Sequence, residues 1–142
     1  MKRRKALKIL VVENHEDTLQ AMKMYLELEG HMADTAATMK EALAAATENT
    51  FDLVITDIGL PDGDGWELMR QLRERISVRA VAMSGYGWKE DLEKSRAAGF
   101  IAHLLKPLKI TDLEAVLRKI EQQASAEAPA GRSKRRLVAQ PA

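Results

Sequence analysis

The chain has 142 residues, a net charge of +1 and no cysteine, which fits one ordinary domain and excludes disulfides, thiolate zinc sites and cysteine nucleophiles. The lack of cysteine favours a reducing compartment, so we predict a cytoplasmic protein. The apolar runs are too short for a membrane span, and no apolar segment follows the basic N-terminus as a signal peptide requires. An acidic body, residues 9–123, lies between two basic ends.

Short aliphatic runs alternate with longer amphipathic stretches, a pattern typical of parallel strands joined by crossover helices. Five strand–helix cycles are predicted, and the fold class is therefore α/β. The predicted strands cover residues 8–12, 31–36, 51–56, 79–83 and 101–105. The predicted helices cover residues 17–28, 39–47, 66–75, 89–98 and 112–123, with Thr38 and Thr111 as N-caps of the second and the fifth.

The remaining segments are expected to be irregular. Residues 59–65 contain three glycines and a proline and are predicted to form a loop. Residues 1–6 form a basic N-terminal arm, and residues 124–142 are expected to be a disordered basic tail. One domain, residues 7–123, lies between them. The tail is too short for a helix-turn-helix, so direct DNA binding is not expected.

Polar side chains follow four of the five predicted strands, at the edge of a parallel sheet where ligands bind. Glu13 and Asn14 follow the first strand, Asp57 the third, Ser84 the fourth and Lys106 the fifth. Carboxylate and amide oxygens suit Mg²⁺, and a lysine beside a hydroxyl suits a phosphoryl oxygen. The set predicts phosphoryl transfer to a carboxylate, because metal and lysine neutralise the incoming charge while the bond forms.

In the predicted reaction Asp57 is the nucleophile, and the product is an acyl phosphate. Mg²⁺ would be held by Glu13, Asp57 and the backbone carbonyl of Gly59. Lys106 and Ser84 would bind the phosphoryl oxygens that the metal does not reach.

Five segments of the sequence resemble the response-regulator receiver family of two-component signalling. They are Ile9–Asn14, Asp52–Asp57, Leu60–Gly65, Met83–Tyr86 and Leu105–Pro107. Each segment alone is weak, but all five stand in the right order, and the resemblance covers residues 7–123. It implies a flavodoxin-like sheet of five parallel strands in the order 2-1-3-4-5, with helices on both faces.

The resemblance also implies roles for single residues. Asp57 matches the phosphoacceptor, and Glu13 with Asn14 matches the pair of metal-binding acidic residues. Ser84 matches the switch hydroxyl, and Lys106 matches the family's lysine, followed by a cis bond to Pro107. His103 stands where the family often carries an aromatic residue that swings inward when the hydroxyl residue is pulled toward the phosphoryl group.

Partners and output are implied in the same way. The family predicts a signalling switch rather than an enzyme, with a histidine kinase or a histidine phosphotransfer protein as phosphoryl donor. A downstream protein would bind the face formed by the fourth helix, fifth strand and fifth helix, and a homodimer is left open. Family experience places lifetime control at Gly59 and Tyr86, and a glycine cannot position an attacking water, so slow self-dephosphorylation is expected.

Asn14 departs from the family pattern, which usually has an aspartate there. An amide oxygen can coordinate Mg²⁺ but brings no charge, so weaker metal affinity is expected. The alternative is a degenerate receiver that binds a protein partner without phosphorylation. A third possibility is a phosphohydrolase with an aspartyl nucleophile. Such an enzyme would need an acid/base carboxylate two residues after Asp57, and because that residue is Gly59, the sequence disfavours this function. Met1 and the short tail favour a stand-alone regulator over a fragment of a hybrid kinase.

Overall fold

The computed structural model describes residues 6–85 and 89–127, with side chains as far as residue 123. Strands and helices alternate along the chain, as the periodicity predicts. The elements are β1 (Lys8–Val12), α1 (Glu16–Leu28), β2 (Met32–Ala36), α2 (Met39–Glu48), β3 (Leu53–Asp57), β4 (Gly59–Leu60), β5 (Gly63–Asp64), α3 (Gly65–Arg73), β6 (Arg79–Ser84), α4 (Lys89–Ala98), β7 (Ala102–Leu105) and α5 (Ile110–Glu127).

Five parallel strands form the main sheet in the order β2-β1-β3-β6-β7. Since β6 and β7 are the fourth and fifth strands of this sheet, the predicted order 2-1-3-4-5 is confirmed. Val12 pairs in register with Thr56, and Asp57 pairs with Met83. The carboxyl ends of the central strands therefore meet at one edge, where the predicted site residues lie.

Helices cover both faces of the sheet, and successive strand residues point to opposite faces. Side chains such as Ile9 and Ile55 pack with α1 and α5. Neighbours such as Leu10 and Val54 pack with α2 and α3. Burial on both faces explains why the strands read as continuous apolar runs. No helix in the described part of the chain is long and apolar enough to cross a membrane.

The predicted loop at residues 59–65 is in fact a small hairpin, so that prediction was wrong. Gly59 pairs antiparallel with Asp64, and Leu60 pairs with Gly63. Pro61 and Asp62 occupy the two positions between these strands, which suits a tight two-residue connection. Glycine and proline content located the turn correctly but gave no sign that the flanking residues would pair.

Helix boundaries differ from the predictions in detail. Thr38 caps α2 as expected, since its Oγ1 accepts the N–H of Glu41 at 3.0 Å. Thr111 does not cap α5, because the helix begins at Ile110 and Thr111 already lies inside it. The first α-helical hydrogen bond runs from the N–H of Leu113 to the carbonyl of Lys109. The helix also continues four residues past the predicted end at 123. Residues 1–5 and 128–142 lie outside the described residues, so the arm and the disordered tail stay predictions.

Candidate functional site

Lys106 joins two carboxylates at the carboxyl edge of the sheet. Its Nζ lies 2.7 Å from Oε1 of Glu13 and 2.9 Å from Oδ2 of Asp57. Glu13 follows β1, Asp57 ends β3 and Lys106 follows β7, so three strands deliver this cluster. The Glu13 side chain is only 2% exposed, and that of Lys106 is 29% exposed. The structure therefore brings together three residues that the sequence placed at separate strand ends.

The local environment perturbs both ends of the Asp57–Lys106 pair. Burial raises the pKa of the Asp57 carboxyl above its ordinary value. The hydrogen bond from Lys106 lowers this pKa, whereas the negative charge of Glu13 raises it further. Burial disfavours the Lys106 ammonium, but hydrogen bonds to Glu13 and Asp57 outweigh it and raise the pKa of Lys106. A carboxylate with raised basicity beside a fixed ammonium suits attack on an electrophilic, negatively charged group.

Backbone contacts fix the orientation of Glu13. Its Oε2 accepts the N–H of His15 at 2.9 Å, while Oε1 faces Lys106. His15, and neither Glu13 nor Asn14, is the N-cap of α1, since its Nδ1 accepts the N–H of Thr18. Because His15 caps the helix, the Glu13 carboxylate can face Lys106. The peptide bond between Lys106 and Pro107 is cis, which confirms that prediction.

Ser84 and His103 are hydrogen-bonded neighbours beside this cluster. Ser84 ends β6 and is buried, and its Oγ lies 2.9 Å from Nε2 of His103 on β7. Nδ1 of the same ring lies 3.0 Å from Oγ of Ser95 on α4, a partner that the sequence did not reveal. Their proposed switching stays a prediction, and Tyr86, the other predicted lifetime residue, lies outside the described residues.

The hairpin after Asp57 is anchored to α2 by Asp62. The carboxylate of Asp62 accepts the backbone N–H groups of Met39 at 2.7 Å and Lys40 at 3.0 Å. These two hydrogen bonds lower the pKa of Asp62. They also satisfy donors of the first helical turn that have no partner within the helix. The loop that carries Gly59 is thus tied at its tip to a neighbouring helix.

Gly65 packs directly behind Asp57. Its N–H donates to the carbonyl of Ile58 at 2.7 Å. A Cβ at this position would lie 2.8 Å from the backbone oxygen of Asp57 and 3.1 Å from Cα of Ile58. Backbone atoms cannot yield as a flexible side chain can. The start of α3 can therefore approach the phosphoacceptor candidate only because this residue has no side chain.

Gly65→Ala is expected to lower the free energy of unfolding by about 1–3 kcal/mol, since overpacking forces the backbone to move. Gly59→Ala is the matched control, because nothing lies within 4 Å of a Cβ built on that glycine of the same loop. Urea unfolding of both variants measures the difference. Equal stability of the two variants would show that the contact behind Asp57 does not constrain the loop.

The fold and the cluster define an α/β domain with a lysine-bridged acidic site at the carboxyl edge of its sheet. The sequence model of the response regulator receiver domain matches residues 9–118, and the chain belongs to that family. It is a receiver domain of two-component response regulators, a class of signalling switch.

Curated relatives differ in architecture. The KDP operon transcriptional regulatory protein KdpE of Escherichia coli is 34% identical over 118 residues, which cover 83% of this chain and 52% of KdpE. An uncharacterized 14.6 kDa protein of Leptolyngbya boryana is 32% identical, with 85% of this chain and 92% of that protein covered. The chain thus spans about half the length of KdpE and nearly all of the smaller relative.

Solved structures agree with the fold. A CheY-like response regulator receiver domain protein from Methanospirillum hungatei is 32% identical and superposes with a TM-score of 0.78, covering 86% of this chain and 99% of the other. A two-component response regulator from Clostridium difficile is 29% identical with a TM-score of 0.81, covering 84% and 98%. The CheY-like flavodoxin fold is confirmed.

Receiver domains bind Mg²⁺ at their phosphorylation site, and the donors present here fit that ion. Mg²⁺ is typically held by one or two carboxylates together with waters and phosphate oxygens. Glu13 and Asp57 supply two carboxylates, while Asn14 and Gly59 are exposed beside them. Within residues 6–85 and 89–127, no group of three or more His, Asp or Glu side chains is placed to hold a metal. At position 14 this edge of the sheet carries an amide and not a carboxylate.

Proposed function

We propose that Asp57 accepts a phosphoryl group from a phosphohistidine of a histidine kinase or a histidine phosphotransfer protein. A carboxylate oxygen of Asp57 attacks phosphorus, and the bond from phosphorus to the donor imidazole nitrogen breaks. The electron pair leaves with that nitrogen, which takes up a proton, and an acyl phosphate remains on Asp57. The observation that carries this proposal is the bridging of Glu13 and Asp57 by Lys106.

Lys106 is placed to neutralise negative charge both on the attacking carboxylate and on the incoming phosphoryl group. Its ammonium already contacts the attacking carboxylate at 2.9 Å, and it can bind a phosphoryl oxygen as negative charge arrives. Mg²⁺, held by Glu13, Asp57, Asn14 and the carbonyl of Gly59, would neutralise charge on another phosphoryl oxygen. Ser84 would donate its hydroxyl hydrogen to a third. The protein chain supplies position and electrostatics, while the donor supplies the phosphoryl group.

Intact-mass measurement after incubation with acetyl phosphate and Mg²⁺ tests the proposal. The wild type is expected to gain the mass of one phosphoryl group, and Asp57→Asn is expected to gain none. An increase in melting temperature with beryllofluoride and Mg²⁺ should appear in the wild type alone. No mass gain at any Mg²⁺ concentration would refute the phosphoacceptor function.

A phosphorylation-independent binding module is the second candidate, and Asn14 is the observation that favours it. Loss of one formal charge weakens attraction for a divalent cation. A degenerate receiver should bind its protein partner equally well as wild type and as Asp57→Asn. A phosphorylatable switch should change that affinity when beryllofluoride is added.

Output is proposed through the face of α4, β7 and α5, within a cytoplasmic signalling pathway. Large apolar side chains are exposed there, namely those of Leu92, Ile101, Leu105 and Ile110. Exposed apolar side chains on neighbouring elements suit a surface for protein contact. Either a downstream protein or a second copy of this chain could cover it.

Slow self-dephosphorylation is expected because residue 59 is an exposed glycine. This glycine is exposed and offers no side chain to hold an attacking water. Phosphate release from the phosphorylated wild type should therefore take minutes or longer, and Gly59→Asn should shorten the half-life because an amide can position water. A wild-type half-life of a few seconds would contradict this expectation.

A further inference from the structure

A chain of hydrogen bonds leads from Ser84 to the contact between α3 and α4. Nε2 of His103 lies 2.9 Å from the Ser84 hydroxyl, and its Nδ1 lies 3.0 Å from the Ser95 hydroxyl. The indole Nε1 of Trp66, on α3, donates to the same Ser95 oxygen at 3.0 Å. Four side chains from β6, β7, α4 and α3 are thus joined in series.

The donors and acceptors of this chain favour one direction. An indole N–H can only donate, so Ser95 accepts from Trp66. Among the described residues, the other hydrogen-bond partner of the Ser95 hydroxyl is Nδ1 of His103. Donation to this nitrogen gives the hydrogen of the buried hydroxyl an acceptor. With this assignment a neutral ring carries its proton on Nε2 and donates to Ser84. Ser84 uses a lone pair in this bond, and its own hydrogen can point at another acceptor.

Ser95 is also the anchor of α4. It is 2% exposed, and it is the one buried residue of this helix, all of whose residues are described. Two further contacts of α4 with α3 involve charged side chains. Nζ of Lys94 lies 4.2 Å from the Trp66 ring centroid, and Arg73 donates to the carbonyl of Ala98 at 2.9 Å. An element held by few buried apolar contacts is easily displaced.

We propose that these four residues form a polarised relay that carries the state of Asp57 to the α3–α4 contact. The inference rests on the proposed function. When Ser84 donates to a phosphoryl oxygen, it becomes a better acceptor toward His103, and each bond back to Trp66 strengthens in turn. Phosphorylation thereby tightens the hold of Ser95 on the indole and draws α4 toward α3.

His103 is a positioning residue in this scheme, and its behaviour differs from the inward swing that the family resemblance implies. The ring is already bonded to Ser84 before any phosphoryl group is present. The signal is a change in bond strength and in α4 position, with the ring in place. The output at α4 then depends on the imidazole passing a hydrogen bond through both of its nitrogens.

Two-dimensional ¹⁵N–¹H NMR of the full chain tests the relay, with the indole signal of Trp66 assigned by comparison with Trp88→Phe. Beryllofluoride with Mg²⁺ should move the Trp66 indole proton downfield and slow its exchange with solvent several-fold. His103→Phe, which keeps a ring but loses both nitrogens, should abolish both changes. His103→Gln should restore part of them, because its amide can accept from Ser95 and donate to Ser84.

Beryllofluoride binding is measured separately in every variant by the rise in melting temperature, so that two failures can be told apart. Binding by the wild type with an unmoved Trp66 signal overturns the relay and leaves the proposed function standing. An equal change in wild type and His103→Phe also overturns it, since the path then bypasses His103. A wild type that does not bind beryllofluoride overturns the phosphoacceptor function and the relay together.

Discussion

Lys106→Met is expected to reduce phosphorylation by acetyl phosphate at least 100-fold and to make Mg²⁺ a stronger stabiliser of the fold than it is in the wild type. The ammonium is the shared counter-ion of Glu13 and Asp57. Without it, the phosphoryl charge that arrives on Asp57 loses its ammonium partner, and one of the largest contributions to catalysis is lost.

The effect on stability follows from the burial of Glu13. Removing one partner of a fully buried ion pair costs about 3–5 kcal/mol, because the remaining charge is left uncompensated. Lys106 is 29% exposed, and water reaches the pair, so a loss of about 1–3 kcal/mol is expected. Mg²⁺ can replace the missing positive charge between the two carboxylates, and it should recover much of this loss.

Chemical unfolding with and without Mg²⁺ measures both parts of the expectation. Lys109→Met is the matched control, since this exposed lysine lies three residues further along the same connection. The control should unfold like the wild type and respond to Mg²⁺ like the wild type. If Lys106→Met does the same, the ammonium is not the counter-ion of the buried carboxylate.

The ends of the strands were predictable from the sequence because burial on both faces requires apolar residues along each strand. A strand covered on both faces must be a continuous apolar run, and a polar residue directly after it must lie at the carboxyl edge. Glu13, Asp57 and Lys106 all obey this rule, and Nζ of Lys106 lies within 3 Å of a carboxylate oxygen of each of the other two. Local pattern and parallel topology together were enough to assemble the site.

Contacts between distant elements were not predictable from the same pattern. Ser95 reads as one polar residue of a charged helix, yet it is buried between His103 and Trp66. His31 likewise has no local signal, but its Nδ1 accepts the N–H of Leu7 and its Nε2 lies 3.1 Å from Oε2 of Glu121. A partner that is 8 to 90 residues away leaves no periodicity. Such polar contacts appear only when the packing is known.

Gly65 and the hairpin show a third kind of limit. Glycine-rich sequence signals a turn, but of the three glycines in residues 59–65 only Gly65 is packed so that an added Cβ would meet backbone atoms. At Gly65 the space for a side chain is filled by the backbone of Asp57, while at Gly59 it is open. Glycine is therefore sterically required at position 65, whereas at position 59 there is space for a side chain.

Asn14→Asp is expected to tighten Mg²⁺ binding on the order of 100-fold, as the loss or gain of a metal-site partner commonly does. A third carboxylate would then face the ion beside Glu13 and Asp57, and a dication is attracted more strongly by an anion than by an amide. The same change should lower stability without metal, because like charges are brought together at a partly buried edge. The variant should therefore be less stable than the wild type without Mg²⁺ and gain more from it.

Mg²⁺ titration followed by melting temperature, together with phosphorylation rates at low and saturating Mg²⁺, checks this expectation. Asn49→Asp is the control, since it makes the same chemical change at the exposed end of α2. Superimposed titrations of wild type and Asn14→Asp would mean that residue 14 does not contact the ion. Rates that differ at low Mg²⁺ and converge at saturation would show that Asn14 sets the metal concentration at which Asp57 responds, while the chemistry at Asp57 is intact.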